Sequence, residues 1–297
     1  MSANNDTQIL SGKPVAQAVL EQVRSRVLTI KGRPPCVVFI RVGNDPASVS
    51  YVKQKQEKAA WVGIKSILEV FDETEIDEAT LLDKIRKLNE DPFVDGILVQ
   101  APLPESMDFV KIASAIKPEK DVDGFGVVNC GCLRQNLPCI VPCTPAGIIE
   151  LLKFYRISTV GKHVVIVNRS MIVGKPLAAL LLKNAPEGNA TVTICHSKTK
   201  DLRAVTREAD ILVLACGKPA FFDRSFVKNG AVVIDVGISR VPFNNEHGYV
   251  LQGDADVQSL KGYVAGYTPV PGGVGPMTVA MLMKNTLDCY NLCHLHS

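Results

Sequence analysis

Two residues four positions apart, Tyr51 and Lys55, offer the first chemistry in the chain. On a helix predicted over residues 48–62 they share one face, and Ala59 and Val62 extend that face, which makes it the inward one. Burial disfavours the charged form of a lysine, so an inward amine has a lowered pKa and can act as a general base or acid near neutral pH. The alternative is that only the aliphatic part of Lys55 packs inward while its amine reaches water.

Two further segments carry polar groups that can join this face. The strand GILVQ ends at Gln100, and the carboxyl edge of a parallel sheet is where ligands bind in open α/β folds. The segment KPEKDVDGFG then places Asp121 and Asp123 in a glycine-bounded turn. Aspartates in such turns accept hydrogen bonds from backbone N–H groups. We predict that one of the two does so, and that the other accepts a pair of hydrogen bonds from an amidine-like heterocycle edge.

A third group of residues follows the strand predicted at 163–167. The loop NRSMIVGKP (168–176) leads into an apolar helix, the arrangement in which doubly wound domains hold a pyrophosphate on free backbone N–H groups. Because the G-x-G-x-x-G pattern is absent and only Gly174 is in place, an ordinary parallel crossover is the alternative. The next strand ends in CHSKTK (195–200), where an NAD-preferring enzyme places Asp or Glu. With Arg169, this cationic end predicts the 2′-phosphate of NADP rather than NAD.

Strands and helices alternate along the chain and would position these residues. Strands are predicted at 36–42, 66–71, 96–99, 163–167, 191–195, 211–215 and 232–236, and helices at 48–62, 79–89 and 276–289. Thr144 is expected to cap a connecting helix with Pro145 in its first turn. This order predicts an α/β fold with two α/β domains flanking a cleft, the second a Rossmann-like parallel sheet.

Composition excludes several classes of protein. The chain has 297 residues, a formal net charge of +3, 46% hydrophobic and 21% charged residues, which suits a two-domain globular protein and argues against nucleic acid as the main partner. No apolar run approaches the roughly 18 residues that a membrane span needs, and the N-terminus does not resemble a signal peptide. Nine cysteines without a C-x-x-C pair predict a reduced, cytoplasmic protein without a metal site. The weaker alternative is a metal site in the tail, from Cys289, Cys293, His294 and His296.

Taken together, these segments closely resemble the bifunctional methylenetetrahydrofolate dehydrogenase/methenyltetrahydrofolate cyclohydrolase family. The similar segments run in order along nearly the whole chain: SYVKQK (50–55), GILVQAPLP (96–104), KPEKDVDGFG (117–126), PCTPAG (142–147), RSMIVGKP (169–176), CHSKT (195–199), IDVGI (234–238) and TPVPGGVGPMT (268–278). The resemblance implies oxidation of 5,10-methylenetetrahydrofolate by NADP and hydrolysis of the methenyl product to 10-formyltetrahydrofolate.

The resemblance also implies roles for individual residues. Lys55 matches the lysine essential for hydrolysis, Gln100 the glutamine that works with it, and Tyr51 the tyrosine that packs along the folate, so these three are the predicted catalytic residues. Asp123 matches the aspartate that binds the pterin. The other predicted substrate contacts are Val99, Pro271, Gly272, Gly273, Val274 and Gly275. The predicted cofactor contacts are Asn168, Arg169, Ser170, Ile172, Gly174, Ser197 and Ile238.

The domains implied are residues 1–146 for folate, 147–275 for NADP, and a C-terminal helix at 276–297 that returns to the first domain, in a homodimer formed through the Rossmann-like domain. Two positions depart from the family pattern: Asn168 stands where glycine is common, and Ala101 where leucine is common. Three alternatives stay open: a two-domain NADP dehydrogenase of the amino-acid or shikimate type, a relative with only one of the two activities, and a nucleotide-sensing protein without turnover.

Overall fold

The computed structural model describes residues 7–244 and 248–294. They divide into two units, each made from two stretches of chain. Residues 7–15 and 144–278 form the six-strand unit, and residues 16–143 and 279–294 form the three-strand unit, named after their main sheets. No helix within these limits is long and apolar enough to cross a membrane.

The elements follow in chain order. The strands are β1 (Gln8–Ile9), β2 (Cys36–Val42), β3 (Lys65–Phe71), β4 (Gly96–Gln100), β5 (His163–Val167), β6 (Thr191–Cys195), β7 (Ile211–Leu214), β8 (Val232–Asp235), β9 (Ser239–Pro242), β10 (Tyr249–Gln252) and β11 (Gly266–Tyr267). The helices are α1 (Gly12–Val27), α2 (Pro46–Val62), α3 (Glu78–Glu90), α4 (Phe109–Ala115), α5 (Val127–Arg134), α6 (Cys143–Phe154), α7 (Gly174–Leu181), α8 (Leu202–Thr206), α9 (Val257–Leu260) and α10 (Val274–His294). The chain passes from one unit to the other within α1, α6 and α10.

The three-strand unit is built on a parallel sheet in the order β3-β2-β4. Every residue of β2 is buried, as expected for a central parallel strand with both faces covered. Because successive side chains alternate between faces, Val38, Ile40 and Val42 join one apolar cluster with helix α3. The opposite face carries Phe39 and Arg41, and Arg41 is paired with Gln100 across the sheet.

The six-strand unit has an all-parallel sheet in the order β1-β11-β8-β7-β5-β6, with a separate antiparallel pair, β9 and β10. From β5 the chain proceeds to β6 on one side and then to β7 on the other. That reversal makes the carboxyl ends of β5 and β7 the topological switch point, where doubly wound sheets bind ligands. The predicted α/β class with parallel sheets is therefore confirmed.

Helix ends follow the local chemistry of the sequence. Helix α2 begins after Asp45, whose carboxylate accepts a hydrogen bond from the Ser48 N–H at 2.8 Å, and ends at Gly63, which adopts φ 85°. The expectation that Thr144 caps the connecting helix is wrong, because α6 already begins at Cys143. The Thr144 hydroxyl lies inside the first turn, 3.0 Å from the hydroxyl of Thr278.

Candidate active site

The Lys55 amine is enclosed by the three-strand unit. Lys55 lies on the buried face of α2 with Val52, Ala59 and Val62, and the residue is only 5% exposed. Its Nζ donates a hydrogen bond of 2.9 Å to Oε1 of Gln100, the last residue of β4. The amine is therefore held at the carboxyl edge of the parallel sheet. The alternative, in which only the aliphatic part of Lys55 packs inward and the amine reaches water, is wrong.

Tyr51 and Gln100 fix the surroundings of this amine. Nζ of Lys55 lies 5.1 Å from the centre of the Tyr51 ring, within the range of a cation–π contact, because the two residues are one helical turn apart. Nε2 of Gln100 donates to the carbonyl of Ala101 at 2.6 Å. This bond orients the Gln100 amide so that its oxygen faces the lysine.

A carboxyl group, Asp123, shares the electrostatic environment of Lys55. Burial lowers the pKa of Lys55, and the charges of Asp123 and Cys143 oppose that shift. Burial raises the pKa of Asp123 to about 6, against the effect of the Lys55 charge. The amine is therefore more easily deprotonated, and the carboxyl more easily protonated, than either would be in water.

The two aspartates of the turn have different surroundings. Asp121 accepts hydrogen bonds from the backbone N–H groups of Gly124 and Gly126 and from the side chain of Asn129, at 2.8–3.0 Å. Its carboxylate is thus occupied by the turn, as the glycine-bounded sequence predicts for one of the pair. Asp123 instead has its Oδ1 3.8 Å from the thiol of Cys143.

A residue of the C-terminal helix binds the backbone next to Asp123. Asn285, on α10, is 3% exposed, and its Nδ2 donates to the carbonyls of Val122 and Val141 at 2.9 and 2.8 Å. These contacts lie wholly within the three-strand unit. They fix the backbone immediately before Asp123 and two residues before Cys143.

Two residues of the three-strand sheet, Val99 and Arg41, differ from what the sequence predicts. Val99, a predicted substrate contact, has its side chain in the apolar cluster with Ile40 and Ile97, so only its backbone is available to a ligand. Arg41 was not predicted, although it is the one charge in the apolar run CVVFIRV. It is 8% exposed and donates to Asn44 at 3.2 Å, while its Nε and one terminal nitrogen have no protein partner among the described residues.

The predicted cofactor loop lies in the six-strand unit, after β5. Oδ1 of Asn168 accepts hydrogen bonds from the N–H groups of Ser170 and Gly174, at 2.8 and 3.0 Å. The Ser170 hydroxyl accepts from the N–H of Val173 at 3.1 Å. The expectation that a pyrophosphate finds free N–H groups at this helix start is therefore wrong for these three groups, because side chains of the loop already bind them.

Exposed side chains nevertheless follow the neighbouring strands β5 and β6. Arg169, Ser197 and Lys198 are exposed, and Ile172 and Ile238 are 39% and 53% exposed. A Cβ on Gly174 would collide with the backbone oxygen of Asn168, so only glycine fits the loop at that point. A cationic, hydroxyl-bearing and tightly turned surface of this kind suits a dinucleotide phosphate.

The segment Pro271–Gly275 belongs to the same six-strand unit. The carbonyl of Gly272 accepts a hydrogen bond from the N–H of Gly12 at 2.8 Å, and Gly272 has φ 104°, which favours glycine. Val274 is buried where α10 begins, and a Cβ on Gly275 would lie 3.8 Å from Cδ1 of Ile238. The predicted contacts at Ile238 and at 271–275 are thus neighbours, whereas Lys55, Gln100 and Asp123 belong to the three-strand unit.

The described residues include no group of three or more His, Cys, Asp or Glu side chains arranged to hold a metal ion. Of the tail residues considered for such a site, Cys289, Cys293 and His294 are described, and His296 lies outside the described residues. Cys289 is buried in α10, and burial raises its pKa well above the usual range of a thiol.

Family models of one protein family match residues from both units. The family model "tetrahydrofolate dehydrogenase/cyclohydrolase, catalytic domain" matches residues 10–123, and its NAD(P)-binding counterpart matches residues 142–294. The bifunctional protein FolD of Chlamydia abortus is 48% identical over 286 residues, covering 95% of this chain and 98% of its own.

Solved structures agree with the sequence relatives. The bifunctional FolD enzyme of Campylobacter jejuni superposes with a TM-score of 0.89 at 42% identity, covering 96% of this chain and 99% of its own. The methylenetetrahydrofolate dehydrogenase-cyclohydrolase of Trypanosoma brucei, solved with NADP cofactor and an inhibitor, superposes with a TM-score of 0.90 at 38% identity, covering 97% and 98%. The chain belongs to the tetrahydrofolate dehydrogenase/cyclohydrolase family.

Proposed function

We propose how this chain carries out the two reactions of its family, the NADP-dependent oxidation of 5,10-methylenetetrahydrofolate to the methenyl cation and the hydrolysis of that cation to 10-formyltetrahydrofolate. The observation that carries the proposal is the enclosed Lys55 amine, hydrogen-bonded to Gln100 and coupled electrostatically to Asp123. Membership of the family argues against a shikimate-type dehydrogenase, and a nucleotide sensor would have no use for a buried lysine of this kind.

Hydrolysis is the step that needs a base. Water adds to the amidinium carbon of the methenyl bridge, a proton leaves that water, and a C–N bond breaks as its nitrogen takes up a proton. In this proposal Lys55 accepts the first proton and returns one, and its lowered pKa raises the fraction of neutral amine near pH 7. Gln100 holds the amine in place through the 2.9 Å hydrogen bond.

Oxidation needs less acid–base catalysis than hydrolysis does, because the nitrogen lone pairs of the substrate stabilise the developing cation. NADP⁺, when bound, supplies the hydride acceptor at its nicotinamide ring. The contribution of the protein is proximity and orientation. Arg169, Ser197 and Lys198 are the exposed donors that would hold the 2′-phosphate, and Ile238, which lies next to Gly275, is a further proposed cofactor contact.

The folate is held by two side chains of the three-strand unit in this proposal. Asp123 accepts hydrogen bonds from the donor edge of the pterin, which requires its carboxylate form. Tyr51 packs against the folate with the ring that already faces Lys55. The backbone of Val99 and the segment Pro271–Gly275 complete the proposed substrate contacts.

A homodimer formed through the six-strand unit is part of the same proposal. Strand β6 lies at one edge of its sheet with Ile194 exposed, and an edge strand presents backbone groups that can pair with another chain. A cytoplasmic location is supported by the nine cysteines, all of which are free thiols, as is usual in a reducing compartment.

Replacement of the lysine tests the proposed division of labour. Lys55→Met should lower cyclohydrolase turnover by at least about 10²-fold, the usual contribution of a general base, while at least partial dehydrogenase activity persists. Cyclohydrolase is followed from added methenyltetrahydrofolate without NADP, and dehydrogenase from NADPH formation, with NAD⁺ assayed in parallel. Lys58→Met, at an exposed position of the same helix, is the matched control.

Three results would contradict this assignment. Equal loss of both activities would give Lys55 a role in binding or folding. A tenfold or smaller effect on hydrolysis would be too weak for a general base. Faster turnover with NAD⁺ than with NADP⁺ would overturn the assignment of the cofactor.

A further inference from the structure

One side chain of the cofactor loop, Asn168, forms hydrogen bonds in two directions. Its Nδ2 donates to the carbonyl of Ala215 at 2.6 Å, and its Oδ1 accepts from the N–H groups of Ser170 and Gly174 at 2.8 and 3.0 Å. Asn168 follows β5 directly and Ala215 follows β7 directly. The amide therefore joins the ends of the two strands at the topological switch point of the sheet.

The same amide oxygen occupies a place where an anion would otherwise bind. N–H groups at the start of a helix usually attract a phosphate because they have no partner within the helix. Here the N–H of Gly174, the first residue of α7, and the N–H of Ser170 are both bound to Asn168. A phosphate at this loop therefore has to be held by other donors.

The loop is closed tightly around this side chain. A Cβ on Gly174 would meet both the backbone oxygen and Oδ1 of Asn168, so the absence of a side chain at 174 and the amide at 168 fit each other. Arg169 lies between Asn168 and Ser170, two residues joined by that amide, and its side chain is exposed. The backbone from which the guanidinium projects is thus fixed before any ligand arrives.

We propose that Asn168 is a positioning residue for the NADP site, one that organises the 168–174 loop and ties it to the end of β7 without contacting the cofactor phosphates through that loop's N–H groups. This inference rests on the proposed binding of NADP to the six-strand unit. A loop that is ordered in advance loses less conformational freedom on binding, so its benefit appears as affinity for the cofactor. The rate of hydride transfer itself should not depend on Asn168.

The variants Asn168→Ala and Asn168→Gly test this role by removing the amide. Both should raise the Kd of NADP⁺, measured by titration calorimetry, about tenfold, the change that corresponds to about 1.4 kcal/mol. The KM for NADP⁺ should rise in proportion, with kcat at saturating NADP⁺ within about twofold of the wild type. Asn184→Ala, at an exposed asparagine of the same unit, is the matched control.

Cyclohydrolase activity on added methenyltetrahydrofolate, measured without NADP, reports separately on the three-strand unit. It should stay within about twofold of the wild type in both Asn168 variants, since Lys55 and Gln100 lie in that unit. Wild-type protein that fails to bind NADP⁺ would refute the proposed function itself.

The remaining outcomes bear on Asn168 alone. Unchanged or tighter NADP⁺ binding by Asn168→Gly would overturn the proposal, because the freed N–H groups would then serve the phosphate better than the amide does. Loss of cyclohydrolase activity in both variants would also overturn it, because Asn168 would then support the fold as a whole.

Discussion

The Asp123 carboxyl has to be ionised to accept two hydrogen bonds from a pterin, yet its surroundings favour the neutral acid. Burial raises its pKa to about 6, and the nearby charge of Lys55 limits the rise. The proportion of carboxylate therefore changes over the pH range in which the enzyme would be assayed. In the proposed function, folate binding and base catalysis depend on these two groups, and the charge of each influences the titration of the other.

The KM for folate should consequently depend on pH. Below about pH 6 the neutral form of Asp123 predominates, so the KM for methenyltetrahydrofolate should rise as the pH falls from 7 to 5. Asp123→Asn should have a higher KM that is nearly independent of pH, because an amide does not titrate. Steady-state cyclohydrolase assays across this range measure both. Persistence of the same pH dependence in Asp123→Asn would contradict the role of this carboxyl.

Some individual residues could be assigned from the sequence and others could not. The inward position of Lys55 follows from its spacing to Ala59 and Val62 on one helix, which is local information. The contact between Asn168 and Ala215 joins positions 47 residues apart, and it depends on the strand order of the sheet. The sequence therefore shows that Asn168 is unusual, but its role requires the fold.

Among the elements, the longer parallel strands were the easiest to predict. The bounds predicted for β2, β5 and β6 agree with the structure, since each is a short run rich in β-branched residues. Strands β1 and β11 have two residues each, too few for any periodicity. Helix α1 was missed although it carries a helical stripe of buried apolar residues, at 15, 16, 19, 20, 23 and 27.

Helix α10 supports the turn that carries Asp123 through the side chain of Asn285. Asn285→Ala would leave the buried carbonyls of Val122 and Val141 without their donor, which should lower the free energy of unfolding by about 1–3 kcal/mol. It should also raise the KM for folate, because the turn that carries Asp123 loses its support. Chemical denaturation and cyclohydrolase assays measure the two effects.

Asn291→Ala, a half-buried asparagine on the same helix, is the control for this prediction. Loss of stability in Asn285→Ala with an unchanged folate KM would mean that the helix supports the fold without positioning Asp123. An unchanged stability would mean that the two carbonyls find another donor.

For the molecule as a whole, the buried Asp235 links stability to pH. It accepts hydrogen bonds from the N–H groups of Gly237, Asp254 and Ala255 at 2.8–3.1 Å, yet burial raises its pKa to about 6. The unfolded chain has an ordinary carboxyl pKa of about 4, so the fold holds this proton more tightly. The resulting stabilisation is complete below about pH 4 and is lost as the pH rises through 6.

The stability advantage of the wild type over Asp235→Asn should therefore shrink as the pH rises. Between pH 4 and pH 8 the difference in the free energy of unfolding should fall by up to about 3 kcal/mol, since each pKa unit corresponds to about 1.4 kcal/mol. Calorimetric unfolding of both proteins measures it, and the comparison removes the contribution of the other titrating groups. A difference that is constant with pH would contradict this role of Asp235.

Each of the two units combines an early and a late stretch of the chain, with crossings within α1, α6 and α10. During synthesis the three-strand unit therefore cannot fold completely once residue 143 has been added, because Asn285 and the rest of its part of α10 have not yet been made. The segment with Tyr51, Lys55 and Asp123 therefore lacks its packing against α10 while about half of the polypeptide is still being translated. Packing of α10 against the earlier segment then completes the unit that carries Lys55, the proposed base for hydrolysis.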